Sequence, residues 1–313
     1  MAGSRWLFWS YGLVALLALI LFGRLGPTAS LFLGTWLPLP LLVVGWRLGT
    51  GWAALLAVVA AALVIALNPG MAVFQDSLGL WMILLLGLIL TVCHRWGWPD
   101  GSGIIFAVVV LGFLGLAFFL GQAFFQGLAP AALWDQKTRD LTETLTKMLS
   151  DAGMSFSDLR LMGLPRMDVQ SLLVQVLPAL ALINMALVAW VNLLVVQKLG
   201  ILWGWDDLGE PLSQWASPEW LIFFLVAAGF ALLAPFLWVR QAGLNLLLVM
   251  GFIYFCQGMA VISALLQRYQ LPWILRGIVY ALAFMNPLML VVVILGLTDL
   301  WLDFRTLQPP RET

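Results

Sequence analysis

The sequence predicts an all-α protein, a polytopic transmembrane bundle of eight or nine helices, and three observations carry that prediction. Of 313 residues, 63% are hydrophobic and only 10% charged, where water-soluble domains carry about 25% charged residues. Mean hydropathy is +1.02. The apolar residues gather into runs of about 20, the length at which a helix crosses a bilayer core of about 30 Å. Short turns of Gly, Pro and Arg separate these runs. Net charge is zero, so no basic field points to nucleic acid. Of 17 tryptophans, many flank apolar runs, among them Trp6, Trp46, Trp96, Trp203, Trp215, Trp220, Trp273 and Trp301. An interfacial belt places them there.

Trp6 to Phe22 is the first expected span; it is long and no Ala-x-Ala site follows, so it reads as an uncleaved helix rather than a signal peptide. Ala29 to Trp46 is the second. Pro38 and Pro40 remove two donors inside it, so this segment is expected to be short, kinked or partly re-entrant. Trp52 to Leu67, Leu78 to Cys93 and Ile104 to Phe125 follow as the third to fifth spans, Val169 to Val196 as the sixth, Trp220 to Val239 as the seventh, Leu244 to Leu266 as the eighth and Trp273 to Leu297 as the ninth. The count is eight if the proline-bearing second segment does not cross. Lys and Arg are distributed too evenly to orient the bundle. His94 closes the fourth span, where an interfacial residue is the default.

One connection is long, which divides the chain into three parts: residues 1–132 with helices one to five, a polar loop at 133–168, and residues 169–313 with helices six to nine. Within the loop Trp134, Leu141, Leu145 and Met148 recur at helical spacing beside Asp135, Arg139, Asp140, Glu143 and Lys147. That pattern is an amphipathic helix, capped by Gly153. Ser155 and Asp158 resemble a capping pair opening a shorter helix. The helix reads as a surface element on the protein or the headgroups, with a lid or partner-docking arm as the alternative. The connection from Leu199 to Pro218 holds Asp206, Asp207 and Glu210 at a spacing that matches no calcium loop, so it reads as a solvated acidic turn.

The chemistry of a catalyst is missing from the sequence. There is no phosphate-binding glycine loop, no nucleophile elbow, and one histidine without zinc-ligand company. Cys93 and Cys256 lie in apolar runs and read as buried filler rather than a disulfide. No charged residue falls mid-span in helices three to nine, which argues against a proton relay. The chain therefore reads as a non-enzyme, with no catalytic residue, no metal and no cofactor.

The remaining signal is polar and uncharged. Asn184 and Asn192 are eight residues apart, about 80° around a helix, so they are expected to share a face. On the eighth helix Gly251, Tyr254, Gln257, Gly258 and Val261 follow the i, i+3, i+4 rule and form one face with small gaps and two hydrogen-bonding groups. Asn286-Pro287 is expected to kink the ninth helix. Together with Asn245, which opens the eighth helix, these residues have two readings: hydrogen-bonding glue between packed helices, or the lining of a cavity for a neutral or weakly polar ligand, made by Tyr254, Gln257, Asn184, Asn192, Asn245 and Asn286. Asp299, Asp303 and Arg305 follow the last span as anchors or as a docking surface.

Three stretches carry a family likeness: Asn245-Leu-Leu-Leu-Val, Tyr254-Phe-Cys-Gln-Gly-Met-Ala-Val-Ile262, and Gly296-Leu-Thr-Asp-Leu-Trp-Leu-Asp-Phe-Arg305. They resemble the C-terminal signature of the YybS-like bacterial membrane proteins, domain of unknown function family 2232. Pro218-Glu-Trp220, Leu37-Pro-Leu-Pro-Leu41 and Arg47-Leu-Gly-Thr-Gly51 are similar to that family's pattern elsewhere. The family in turn resembles, distantly, the S components of energy-coupling-factor transporters. That likeness implies an S-component-like N-terminal part, residence in the bacterial inner membrane, and a solute-binding role beside separate ATPase and coupling membrane subunits. The same fold group includes MreD, which implies the alternative of a non-catalytic scaffold for cell-envelope proteins. The likeness is at fold level and does not by itself assign a function.

Overall fold

The computed structural model describes residues 2–23, 32–67, 78–151, 153, 169–205, 215–285, 287–302 and 304. Among them every regular element is a helix: α1 (Ala2–Gly23), α2 (Pro38–Leu48), α3 (Thr50–Leu67), α4 (Leu78–Arg95), α5 (Asp100–Phe125), α6 (Pro130–Asp151), α7 (Val169–Leu202), α8 (Leu221–Leu232), α9 (Leu237–Arg268), α10 (Trp273–Ala283) and α11 (Leu288–Leu302). Four of them, α4, α5, α7 and α9, are long and apolar enough to cross a membrane; α10 and α11 make a fifth if counted as one broken span. The shorter count relative to the eight or nine expected has local causes. α8 holds 12 residues, about 18 Å at 1.5 Å per residue and short of the bilayer core. The chain breaks around Pro235, whose missing N–H and bulky ring stop a helix. The expected seventh span, Trp220 to Val239, therefore ends early, and the eighth begins at Leu237 rather than Leu244. Between α10 and α11 the axis turns by 97°, at the break that holds Pro287.

The prolines of α2 act otherwise than as interior breakers. Pro38 and Pro40 fall in its first turn, where backbone N–H groups have no intrahelical partner in any case. The result is a short, fully embedded helix: Leu41, Leu42 and Val44 are completely buried. α2 packs against α1, α3 and α4. It approaches α4 closely, since a β-carbon on Gly45 would stand 2.2 Å from Thr91 Cγ2 and one on Gly87 would stand 3.2 Å from Pro38 Cα.

The chain divides into two compact units. One comprises residues 1–111, 183–221 and 251–313; the other comprises 112–182 and 222–250. In the first, apolar clusters form around Leu16, Leu41 and Leu56, around Leu86, Leu90 and Leu193, and around Phe255, Met259 and Val292. In the second, α6 lays Leu133 and Thr138 into the interior while Asp135, Lys137, Arg139, Asp140, Glu143 and Lys147 stay exposed. Trp134, Leu145 and Met148 are half-buried, and Leu141 lies at the edge of the stripe with 37% exposure. Gly153, at φ +71°, turns the chain beyond α6 in the left-handed region that glycine adopts without steric cost. The shorter helix expected at Ser155 and the acidic turn at Asp206 lie outside the described residues.

Large apolar side chains cover the outside of both units, for example Tyr11, Leu290 and Ile294 in the first and Phe113, Phe124, Phe223 and Phe230 in the second. Patches of this kind would drive aggregation in water and are the ordinary exterior of a protein in lipid. Trp6, Trp96, Trp203, Trp220, Trp273 and Trp301 stand exposed at or beside helix ends, as a belt requires. Trp46 and Trp215 do not. Trp46 is buried and stacks on His94 at 3.7 Å and 9°, and that histidine is itself buried. Trp215 is buried against Gly101.

Candidate functional site

Two groups of polar side chains stand inside the fold, one in each unit. The first is built on α9 and α11. Gly258 and Gly296 let the backbones meet: a β-carbon on Gly258 would stand 2.0 Å from the Val292 carbonyl oxygen. Beside that contact Gln257, only 1% exposed, is held at both ends of its amide. Its Nε2 donates to Asp299 Oδ2 at 3.2 Å, and its Oε1 accepts from the Ser217 hydroxyl. Asp299 is 6% exposed and also accepts the Phe304 N–H at 3.1 Å. Tyr254, one turn before Gln257, is fully buried, and its hydroxyl has no hydrogen-bond partner among the described residues. This face is thus filled by close helix packing and a closed hydrogen-bond chain. Gly251, by contrast, has nothing within 4 Å of its β-position and takes no part in the close contact.

The asparagines part company. Asn192 is fully buried and donates to Thr35 O and Val188 O, both at 2.7 Å. Thr35 lies three residues before Pro38, which has no N–H to offer it, and the Leu39 N–H bonds to Trp36 O instead. Asn192 therefore supplies the donor that the proline withholds. Asn184 is exposed. A separation of 80° is enough to put one residue inside and the other outside, so the two do not share a face. Asn286, Asp303 and Arg305 lie outside the described residues. Asp299 is buried within the packed chain.

The second group surrounds Asn245 on α9 and Pro178 in α7. Asn245 Oδ1 accepts the Ala179 N–H at 2.8 Å, and its Nδ2 donates to the carbonyls of Gln175 and Gln241, each at 2.8 Å. The Ala179 N–H and Gln175 C=O are the two ends of the bond that would close that turn of α7. Asn245 bonds to both, next to a proline that deprives the Val174 carbonyl of its donor. An open cavity of about 370 Å³ lies over this turn, lined by Trp134, Gln175, Pro178, Trp238, Gln241 and Asn245 and completed by Val174 and Ala242. All of these residues are uncharged. Among the described residues the side-chain amides of Gln175 and Gln241 bond to no other residue, while their carbonyls are held by Asn245. Gln241 and Trp238 were not expected in a site: Trp238 falls at the end of the expected seventh span and Gln241 in the short connection before the eighth, whereas both stand in the first turns of α9. No group of three or more His, Cys, Asp or Glu side chains among the described residues is placed to hold a metal ion.

Described residues whose regular elements are all helices, with large apolar side chains exposed on their outside, define an integral membrane protein. The chain belongs to the family described as predicted membrane protein (DUF2232), whose model matches residues 13–300. No curated protein and no solved structure matches it.

Proposed function

We propose that this chain is a multi-pass subunit of the bacterial inner membrane that binds a solute for transport, in the manner of the energy-coupling-factor S components its sequence resembles. The cavity over Pro178 carries the reading. Its volume falls within the range of small-ligand sites, roughly 300–1,000 Å³, and amide groups converge on it from α7 and α9. The shorter apolar helices at 5–21, 32–48 and 50–66 stand beside the longer spans, in keeping with a multi-pass protein. No catalytic role is proposed.

One observation favours the scaffold alternative. The Tyr254 and Gln257 face is closed by the Gly258–Gly296 contact, which suits a rigid interaction protein better than a bundle that opens around cargo. Isolation of the tagged chain from native membranes in mild detergent separates the two. Transport predicts co-purifying ATPase and coupling subunits, and a small molecule released on denaturation. Envelope proteins alone, with no small molecule, would establish the scaffold.

A further inference from the structure

The side chains around the Pro178 turn narrow the chemistry of what the cavity accepts. Every lining residue is neutral. A charged ligand would give up part of its hydration at a site whose lining holds no counter-ion, a cost that disfavours it against a neutral one. Two indoles, Trp134 and Trp238, supply apolar walls suited to a flat ring. Asn245 has one acceptor and both donor hydrogens engaged with the backbone, so it has little to offer a ligand without reopening α7. Gln175 and Gln241 remain among the lining residues, and a glutamine amide carries two donor hydrogens and an acceptor oxygen.

We infer that the cavity is a binding site for an uncharged, planar ligand with an amide-like edge, read by Gln175 and Gln241 between the indoles of Trp134 and Trp238. Asn245 is a positioning residue: it holds the carbonyls of Gln175 and Gln241 and so sets where their side chains project. The inference rests on the cavity being the solute site proposed above.

Three isosteric probes test it: benzamide, benzoate and benzamidinium, differing in charge and alike in shape. Equilibrium dialysis and thermal denaturation are run on the full chain in lipid nanodiscs. Benzamide should bind at roughly millimolar concentration, the scale of a small fragment, and both ions about tenfold or more weakly. Gln175→Leu and Gln241→Leu should each weaken benzamide about two- to tenfold, the worth of one hydrogen bond. Gln241→Glu keeps the falsifiability if the leucine variants fold poorly: it should turn the preference from benzamide to benzamidinium. Equal binding of benzamide and benzoate would overturn the inference. So would binding unmoved by the Gln175 and Gln241 changes, or a retained phospholipid that no probe displaces. Probe binding with no ATPase partner would retire the transport reading and leave this one intact. An ATPase partner without probe binding would do the reverse.

Discussion

Gly296 of α11 faces Gly258 of α9 so closely that a β-carbon on the first would stand 2.0 Å from the Tyr254 carbonyl oxygen and 2.5 Å from the Gly258 nitrogen. The obstacles are backbone atoms, which cannot rotate away. Gly258→Leu and Gly296→Ala should each force the helices apart and cost roughly 1–3 kcal/mol. Gly251→Ala, with open space at its β-position, should be near neutral. Thermal unfolding in detergent, followed by tryptophan fluorescence, ranks the three; an unaffected Gly296→Ala would mean that the contact is looser than described.

Gln257 joins Ser217 to Asp299. Hydrogen bonds between membrane helices average about 0.6 kcal/mol, and Gln257→Leu removes two together while leaving a buried carboxylate short of a donor. A loss of about 1–2 kcal/mol is expected, with ligand binding at the Pro178 cavity unchanged. Coupling between Gln257→Leu and Asp299→Asn, measured as a double-mutant cycle, should be positive. Weakened solute binding in Gln257→Leu at unaltered stability would instead return this residue to a ligand site.

Asn245→Leu should cost about 1–3 kcal/mol, since the Ala179 N–H and the Gln175 carbonyl beside Pro178 lose their side-chain partner. Pro178→Ala restores a donor to the Val174 carbonyl and lets the turn close on itself. Most of the loss should therefore be recovered in the Asn245→Leu, Pro178→Ala pair, by the same unfolding assay. Simple additivity would show that the asparagine and the proline act separately.

Asn192→Leu should destabilise by about 1–3 kcal/mol, because the Thr35 carbonyl is left without its donor. Asn184→Leu, at an exposed position, should leave stability unchanged within about 0.5 kcal/mol. Equal effects at the two positions would contradict the different environments described for them.

For α6, amide exchange across residues 133–150 should run well below the rate of free peptide. Protection should be greatest around the buried Leu133 and Thr138. Uniformly fast exchange would exclude the helix.

Length and hydropathy made the long helices α5, α7 and α9 legible in advance, and helical spacing beside a charged face made α6 so. The misreadings share a cause. In a helix that is apolar all round, spacing yields the angle between two side chains but not which of them meets protein and which meets lipid; Asn184 and Asn192 differ in this respect alone. Pro235 was hidden inside a continuous apolar run. Pro38 was read as an interior breaker because the helix start it occupies is decided by packing against α1, α3 and α4, and hydropathy does not record that. Helical spacing marks Gly258 as a small gap on the face of Tyr254 and Gln257, but its partner Gly296, 38 positions later, takes the third dimension to find.

The bond from Asn192 to the Thr35 carbonyl spans 157 residues. A ribosome feeding this chain into a membrane completes the proline turn before α2 long before it makes the asparagine that satisfies it. Until α7 arrives, that carbonyl lacks the side-chain donor it meets in the folded chain. The early segment therefore reaches its final hydrogen bonding only when a much later helix is delivered. Biogenesis of this protein is a matter of return visits rather than of stacking finished hairpins in order.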